Sequence, residues 1–346
     1  MKTKYIIVAA GLAAVLLTHS SCEKVSPSGV LMAGTAVEDR VQMSEKYYKQ
    51  YLVDYKLDAD LMYKDGMDNK GEYTFLVGAD SHLTTDPGRM DEMLQIGLDN
   101  DDLLYVHLGD IADTKPEYYI VLDSLLAQAK GRYVAKNYEV NEYGRFIYKR
   151  NPYDIMGEEY ASIKYPFFPV VGNHDLTHNG WAMWCNIFGS SFYEFDVFVG
   201  DDEDTGKYNY DHFIFLDTAS GTLGKTQIDL IEKGVLDGDV HYRHTFVFSH
   251  TNIFRPSALQ FASTFAREET FFLLKQFEEW GADIVFCGHV HKWDEREYNK
   301  VTYLTLDSMS ERNSPEPGDY LVRVHVLADG SITWERVHMS YVAKNA

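Results

Sequence analysis

The sequence holds only three cysteines in 346 residues, too few for a disulfide scaffold or for a zinc module built on four thiolates. Basic charge is scarce as well: 32 Lys and Arg face 53 Asp and Glu, a formal net charge of −21. No run of Lys and Arg interrupts that surplus. A nucleic-acid polymer would be repelled by such a surface and is excluded as a partner. The apolar run from Tyr5 to Leu17 stops at 13 residues, where a helix spanning a bilayer needs about 20. Internal repeats and low-complexity tracts are missing, which leaves no room for repeat arrays, or for disorder except at the ends. What is present is ordinary globular composition, 45% apolar and 25% charged, enough to bury a core without staples.

Behind Lys2 and Lys4, those 13 apolar residues have the length of a signal-peptide core. The following Ser20-Ser21-Cys22 resembles the end of a bacterial lipoprotein signal, in which the Cys is lipidated and becomes the new N-terminus. His19 stands where that pattern has Leu. Residues 1–21 are therefore expected to be a signal peptide, and the mature chain an exported lipoprotein, anchored by Cys22 in the bacterial periplasm or at the cell surface. Loss of Lys2 and Lys4 takes the charge from −21 to −23. Residues 22–72 read as a tether and N-terminal helical arm, with amphipathic spacing over 36–64. Residues 73–340 read as one α/β domain. Cys185 and Cys287 could pair after export, but Cys287 sits in the apolar run DIVFC and reads better as a buried free thiol.

From Tyr73 onward strands and helices alternate. Strands are expected at 73–79, 103–108, 167–171, 192–199, 208–217, 244–249 and 283–287, and helices near 88–98, 117–130, 223–235 and 266–280. Adjacent late strands at 301–307, 319–327 and 330–338 suggest mixed or antiparallel pairing there. Residues 132–165 look like an insertion, and Asp201–Asp204 like a solvated loop.

Five segments place metal-capable side chains just beyond an apolar run: Asp80-Ser-His82, Gly109-Asp110-Ile-Ala-Asp113, Gly172-Asn173-His174-Asp175, His250, and Gly288-His289-Val-His291. Ligands bind at the carboxyl ends of strands in α/β sheets, where fixed backbones let side chains converge. In an extended segment residues i and i+2 point the same way, so Asp80 with His82, and His289 with His291, are expected to reach one site. Each segment alone has a structural use, but their succession points to a joint metal site.

The order D-x-H, G-D-x-x-D, G-N-H-D, H, G-H-x-H resembles the calcineurin-like metallophosphoesterases, over roughly residues 73–310. The resemblance implies a sandwich of two mixed β-sheets flanked by helices, with a dinuclear metal site at the strand ends. It further implies one metal held by Asp80, His82, Asp110 and His291, and a second by Asp110, Asn173, His250 and His289, so that Asp110 bridges. Imidazole and carboxylate ligands suit Mn, Fe or Zn better than Ca or Mg. Two such ions would activate a bridging water, and the hydroxide would attack a phosphate mono- or diester in line. His174 resembles the general acid for the leaving group, and Asp113 the carboxylate that orients it. Purple acid phosphatases have a Tyr ligand at the place of Asp113, so that subfamily is not expected. Asp175 reads as a loop brace.

Arg89, Arg255 and His178 lie close to these blocks and are candidates for contact with substrate phosphate. His107 reads as a core histidine with its hydrogen bonds satisfied, Trp181 and Trp184 as core in preference to a substrate wall, and Leu216–Thr218 with Gln227 as structural. The expected function is an exported metal-dependent phosphoesterase acting on a small phosphorylated substrate. A non-catalytic cell-surface binding protein on the same fold is the alternative; lost ligands would be its usual sign, and none is missing here.

Overall fold

The computed structural model describes residues 36–44, 71–113, 115–140, 142–143, 146–148, 165–202, 207–237, 242–254 and 265–342. The expected signal peptide, Cys22, the rest of the arm and Arg255 lie outside the described residues. In chain order the elements are a helix α1 at 37–44, β1 (Tyr73–Gly78), α2 (Gly88–Asp99), β2 (Leu104–His107), α3 (Pro116–Asn137), β3 (Tyr138–Val140), β4 (Phe146–Tyr148) and β5 (Phe167–Pro169). A 3-10 segment (His174–Asn179) leads into α4 (Gly180–Phe188), followed by β6 (Tyr193–Asp202), β7 (Lys207–Phe215), α5 (Gly224–Glu232), β8 (Tyr242–Ser249) and α6 (Arg267–Glu279). The last strands are β9 (Ile284–Cys287), β10 (Asp294–Tyr298), β11 (Val301–Thr305), β12 (Gly318–Val326) and β13 (Ile332–Met339). None of the described helices is long and apolar enough to cross a membrane.

Two mixed sheets face each other, in the orders β13-β12-β1-β2-β5 and β10-β11-β9-β8-β7-β6. In the first, β1, β2 and β5 run parallel; in the second, β7, β8, β9 and β11 do. Strand periodicity explains the layering, because alternate residues point to opposite faces. Phe75 and Val77 of β1 meet Phe213 and Phe215 of β7, Phe246 and Phe248 of β8 and Phe286 of β9 between the sheets. Phe75 makes edge contacts at ring-centroid distances of 5.3 Å to Phe213 and 5.1 Å to Phe246. The intervening residues face outward. Leu76 and Tyr105 pack under α2, α3 and α4, and Ile214, Val247 and Val285 under α1, α5 and α6. The central strands β1, β2, β8 and β9 are thus buried on both faces, which is why they read as continuous apolar runs.

Several short elements escaped the sequence pattern, α4 and β10 among them. The segment of α4, GWAMWCNIF, is apolar nearly throughout; it buries Trp181, Trp184 and Phe188, and the two Trp rings stack at 5.4 Å inside the core. β10, with the sequence DEREY, is an edge strand whose charged side chains face solvent. The expected insertion also begins later than residue 132, because α3 continues to Asn137 and passes into the β3–β4 hairpin. Strand β6 runs through Asp201 and Asp202, so the first half of that acidic run is strand, not loop. Cys185 and Cys287 are free, and burial pushes the Cys287 thiol up to about 12.

The described helix of the arm, α1, is held to the domain by a buried ion pair and by bonds of Glu38 and Ser44. Arg40 of α1 donates from Nε and Nη2 to the two carboxylate oxygens of Asp217, 2.8 Å each, with both side chains fully buried. Gln227 of α5 holds the backbone N–H and carbonyl of Asp217, so Leu216–Thr218 and Gln227 are structural, as expected. Removing one partner of such a pair strands the other charge. Arg40→Met is expected to lower stability by about 3–5 kcal/mol in denaturant unfolding, and Arg40→Met with Asp217→Leu to recover most of it. A single-variant loss under about 1 kcal/mol would show that the pair does not hold the arm.

Candidate metal centre

The parallel strands deliver the chemistry-bearing residues to one edge of the sandwich. Asp80 and His82 follow β1, Asp110 and Asp113 follow β2, Asn173 and His174 follow β5, His250 follows β8, and His289 and His291 follow β9. The expected extended geometry of the D-x-H and H-x-H pairs is not what joins them. Asp80, His82, Asp110, His289 and His291 adopt left-handed backbone at φ 51, 43, 52, 70 and 57°. β1, β2 and β9 therefore each end in a tight turn that swings side chains over the sheet edge. Such non-glycine conformations carry a cost of about 1–3 kcal/mol each and persist only where the surroundings over-determine them.

Here the surroundings are the neighbouring turns. Asp80 N–H donates to Gly109 O (3.1 Å), His82 N–H to Asp110 O (3.0 Å) and Leu83 N–H to Ile111 O (2.8 Å), which extends the β1–β2 ladder past both strands. Gly288 N–H donates to His250 O at 3.0 Å. Gly172 lies so close to Asp110 that a Cβ there would sit 2.0 Å from the Asp110 backbone nitrogen. Only glycine permits that approach.

The ligating atoms of Asp80, His82, Asp110 and His291 lie within 4.8 Å of one another, and so do those of Asp110, His250 and His289. Asp110 belongs to both groups. Asn173 joins the second, its Oδ1 3.0 Å from His250 Nε2. Elsewhere ring nitrogens face each other, His82 Nε2 with His291 Nε2 at 3.3 Å and His289 Nδ1 with His250 Nε2 at 3.1 Å.

Hydrogen bonds outside the cluster aim these atoms. His250 Nδ1 donates to Leu108 O at 2.7 Å, which leaves the Nε2 lone pair facing Asp110 and Asn173. His289 N–H donates to both oxygens of Asp80, and His174 N–H to Asp110 Oδ1 at 2.7 Å, freeing Asp110 Oδ2. Burial brings His82 down to about 3 and His289 to about 4, and also lowers His250, so these imidazoles are neutral donors. Burial pushes Asp110 up to about 6. It would raise Asp80 as well, but the hydrogen bond and charge of His291 hold Asp80 below the usual carboxylate range. Four converging imidazoles, those of His82, His250 and His289 neutral, with two carboxylates and an amide oxygen, and with His82 Nδ1 and His289 Nε2 buried and unpartnered, fit a metal site.

Beside the cluster, the His174 ring lies edge-on to His82 at 4.6 Å. Its Nδ1 is 3.9 Å from Asp113 Oδ1, beyond hydrogen-bond length. Asp113 Oδ2 is instead held by Arg312 at 2.7 Å, a residue the sequence reading did not single out because it lies in a polar loop far along the chain. Asp175 accepts from Ile111 N–H, Ala112 N–H, Gly172 N–H and Tyr119 O–H, and so clamps the turn after β5 to the turn after β2, as a brace.

The phosphate-contact candidates fare differently. Arg89 is 1% exposed, and its guanidinium donates to the carbonyls of Tyr341, Met309 and Glu316. It is a structural brace, buried and aimed inward. His178 stands exposed at φ 50°, outside the metal-capable groups among the described residues. His107 is buried as expected, but neither ring nitrogen has a partner, so its hydrogen bonds are not satisfied.

The profile of a family described as calcineurin-like phosphoesterase matches residues 73–293. Among solved structures, the chain is similar to GAP50, the anchor in the inner membrane complex of Plasmodium, at 13% identity, 79% of this chain and 90% of that chain covered, and a TM-score of 0.50. It is similar to a dimetal phosphatase from Danio rerio at 10% identity, with 78% and 99% covered and a TM-score of 0.43. Similarity extends to a putative 5′-nucleotidase from Staphylococcus aureus at 12% identity, with 80% and 55% covered and a TM-score of 0.39. No curated protein matches the chain.

His107 yields a pH test that is independent of metal. Burial lowers it to about 3, whereas an unfolded histidine titrates near ~6.5. Between those values the unfolded chain binds the extra proton, so stability falls as pH drops through that window. In chelator-treated protein, His107→Leu is expected to gain about 1.4 kcal/mol on the wild type between about pH 7.5 and about pH 5.5. Parallel stability curves from denaturant titrations would refute the assignment.

Proposed function

Because the chain belongs to the calcineurin-like phosphoesterase family, we propose that it is an exported, metal-dependent hydrolase of phosphate mono- or diesters. One observation carries this reading: every ligating residue type the chemistry needs is present, and the Asp and His members converge at the strand ends, with the His82, His250 and His289 imidazoles held neutral by burial. Asp80, His82, Asp110 and His291 would hold one ion, and Asp110, Asn173, His250 and His289 a second. Mn, Fe or Zn suits this donor set. Bound there, the ions would supply Lewis acidity to the phosphoryl group and lower the pKa of water at the site.

The chain's own residues supply the rest. Leu108 O fixes the His250 tautomer, and the Asp175 clamp keeps Asp110 and Asn173 in register. His174 is 36% exposed with its Nδ1 turned toward Asp113, so Nε2 is left to pass a proton to the leaving oxygen. At 3.9 Å Asp113 faces the Nδ1 side of the ring and orients it by charge. A second reading, a surface binding protein without turnover, draws on GAP50, which shares the fold and is described as an anchor. The proposal of export rests on Lys2, Lys4, the apolar run and Cys22.

Chelation is expected to abolish hydrolysis of p-nitrophenyl phosphate or its bis ester, and added Mn, Fe or Zn to restore it. Less than one tightly held metal per chain, with no turnover after reloading, favours the binding-protein reading. His174→Ala is expected to cost about 10²–10⁴-fold with a poor alkyl leaving group and far less with p-nitrophenol, which leaves unprotonated. Equal losses on both would remove His174 as the acid. In bacterial cells, Cys22→Ser is expected to move the protein from the membrane to the soluble fraction; unchanged partitioning would rule out the anchor.

A further inference from the structure

Arg312 has no place in the roles derived so far, yet the fold builds it a platform. It sits in the loop between β11 and β12, and that loop is bolted to the turn carrying Asp80. Ser308 Oγ donates to Asp80 O (2.8 Å), Met309 N–H to Ala79 O (2.9 Å), and Ser310 N–H back to Ser308 Oγ (3.1 Å). Ser308, Met309 and Ser310 are all buried. Beyond them the chain turns tightly, with Asn313 N–H and Ser314 N–H both donating to Ser310 O. Buried Arg89 holds the loop from beneath through Met309 O and Glu316 O, while its backbone N–H donates to Glu311 Oε1. A rigid base thus carries an Arg whose side chain is 58% exposed and bonded to Asp113, one carboxylate away from His174.

We propose that Arg312 is a substrate-phosphate contact that fits this centre to phosphate monoesters in preference to diesters. The inference rests on the phosphoesterase reading above and names its substrate class. A monoester carries three non-bridging oxygens and close to two negative charges at neutral pH. Two metal-facing oxygens leave the third, still charged, without a partner among the metal-holding residues. A guanidinium is the side chain suited to that oxygen, since its planar fork binds phosphate by two charge-assisted hydrogen bonds. A diester has only two non-bridging oxygens and one charge, so nothing remains for Arg312 to bind. The pair with Asp113 keeps the fork poised at the mouth, and a half-exposed ion pair of this kind is weak enough to exchange for a dianion. Asp113, relieved of Arg312, is then left facing His174 alone.

The test uses the metal-loaded protein with p-nitrophenyl phosphate, bis-p-nitrophenyl phosphate and inorganic phosphate. Wild type is expected to favour the monoester. Arg312→Gln is expected to lower kcat/KM for the monoester by about 10–100-fold and to weaken inorganic phosphate binding in calorimetry by a similar factor. The diester should change by less than about threefold, with metal content and Tm unaltered; Arg312→Lys should restore part of the loss. Equal losses on both esters, an unchanged phosphate Kd, or a wild-type preference for the diester would overturn the assignment. If wild type cleaves neither ester, the phosphoesterase reading fails. The phosphate titration still decides on Arg312: tenfold weaker binding by Arg312→Gln supports it, and equal binding or none by wild type refutes it.

Discussion

Five side chains of the centre project from backbone held at φ 43–70°, a region that L residues other than Asn and Asp seldom occupy. No one of these turns would persist in isolation. Each survives because its neighbour's carbonyl receives its N–H, the turn after β1 on the turn after β2, and the turn after β9 on His250. The Asp175 carboxylate adds four donors to the same lattice, drawn from the turns after β2 and β5 and from α3. The centre is therefore one hydrogen-bonded unit with six points of entry from the chain, counting the Ser308–Ser310 loop. Altering one turn disturbs the ligands carried by the others.

That unit needs a stiff foundation, which the sandwich interior provides. Phe195, Phe213, Phe215, Phe248 and Phe286 stack in succession across the six-stranded sheet, and Phe75 meets four of its rings edge-on. Aromatic cores of this density resist strand sliding, because moving one ring empties space that no neighbour can fill. A strand that slipped by one residue would also turn its inward Phe to the helical layer. Register here is consequently chemical register: Val77 inside the sandwich places Asp80 at the edge.

The sheet strands and the five metal-capable segments were legible because both report on local chemistry. A doubly buried strand leaves an apolar run, and a ligand must be Asp, His or Asn whatever surrounds it. What was not legible is what depends on distance along the chain. Asp113 is visible in G-D-x-x-D, but its partner Arg312 lies some two hundred positions on. Arg40 meets Asp217 across a separation of 177 residues. Arg89 looked available because its neighbours are motif residues, yet it is aimed inward by carbonyls from the C-terminal third. The left-handed turns were missed for another reason. They occur at non-glycine residues, where sequence preference argues against them, and tertiary hydrogen bonds override that preference.

The electrostatics of the centre show why these residues favour a cation. Asp80, Asp110 and Asp175 are buried to within 1%. Burial pushes Asp175, like Asp110, up to about 6, with the Asp110 charge adding to the effect. The imidazoles of His82, His250 and His289 are displaced in the opposite sense, while Asp80 raises that of His291. For a raised carboxylate the penalty accumulates as pH climbs from the unfolded value of about 4 toward its folded pKa. For a depressed imidazole it accumulates as pH falls below about 6.5. Acid relieves Asp110 and Asp175 and burdens His82, His250 and His289, while alkali does the reverse, so no pH frees these groups of cost together. A divalent ion answers both at once, since it favours ionised carboxylates and neutral imidazoles together. Its binding energy then becomes folding energy, spread through the same hydrogen-bonded turns that hold the strained backbone.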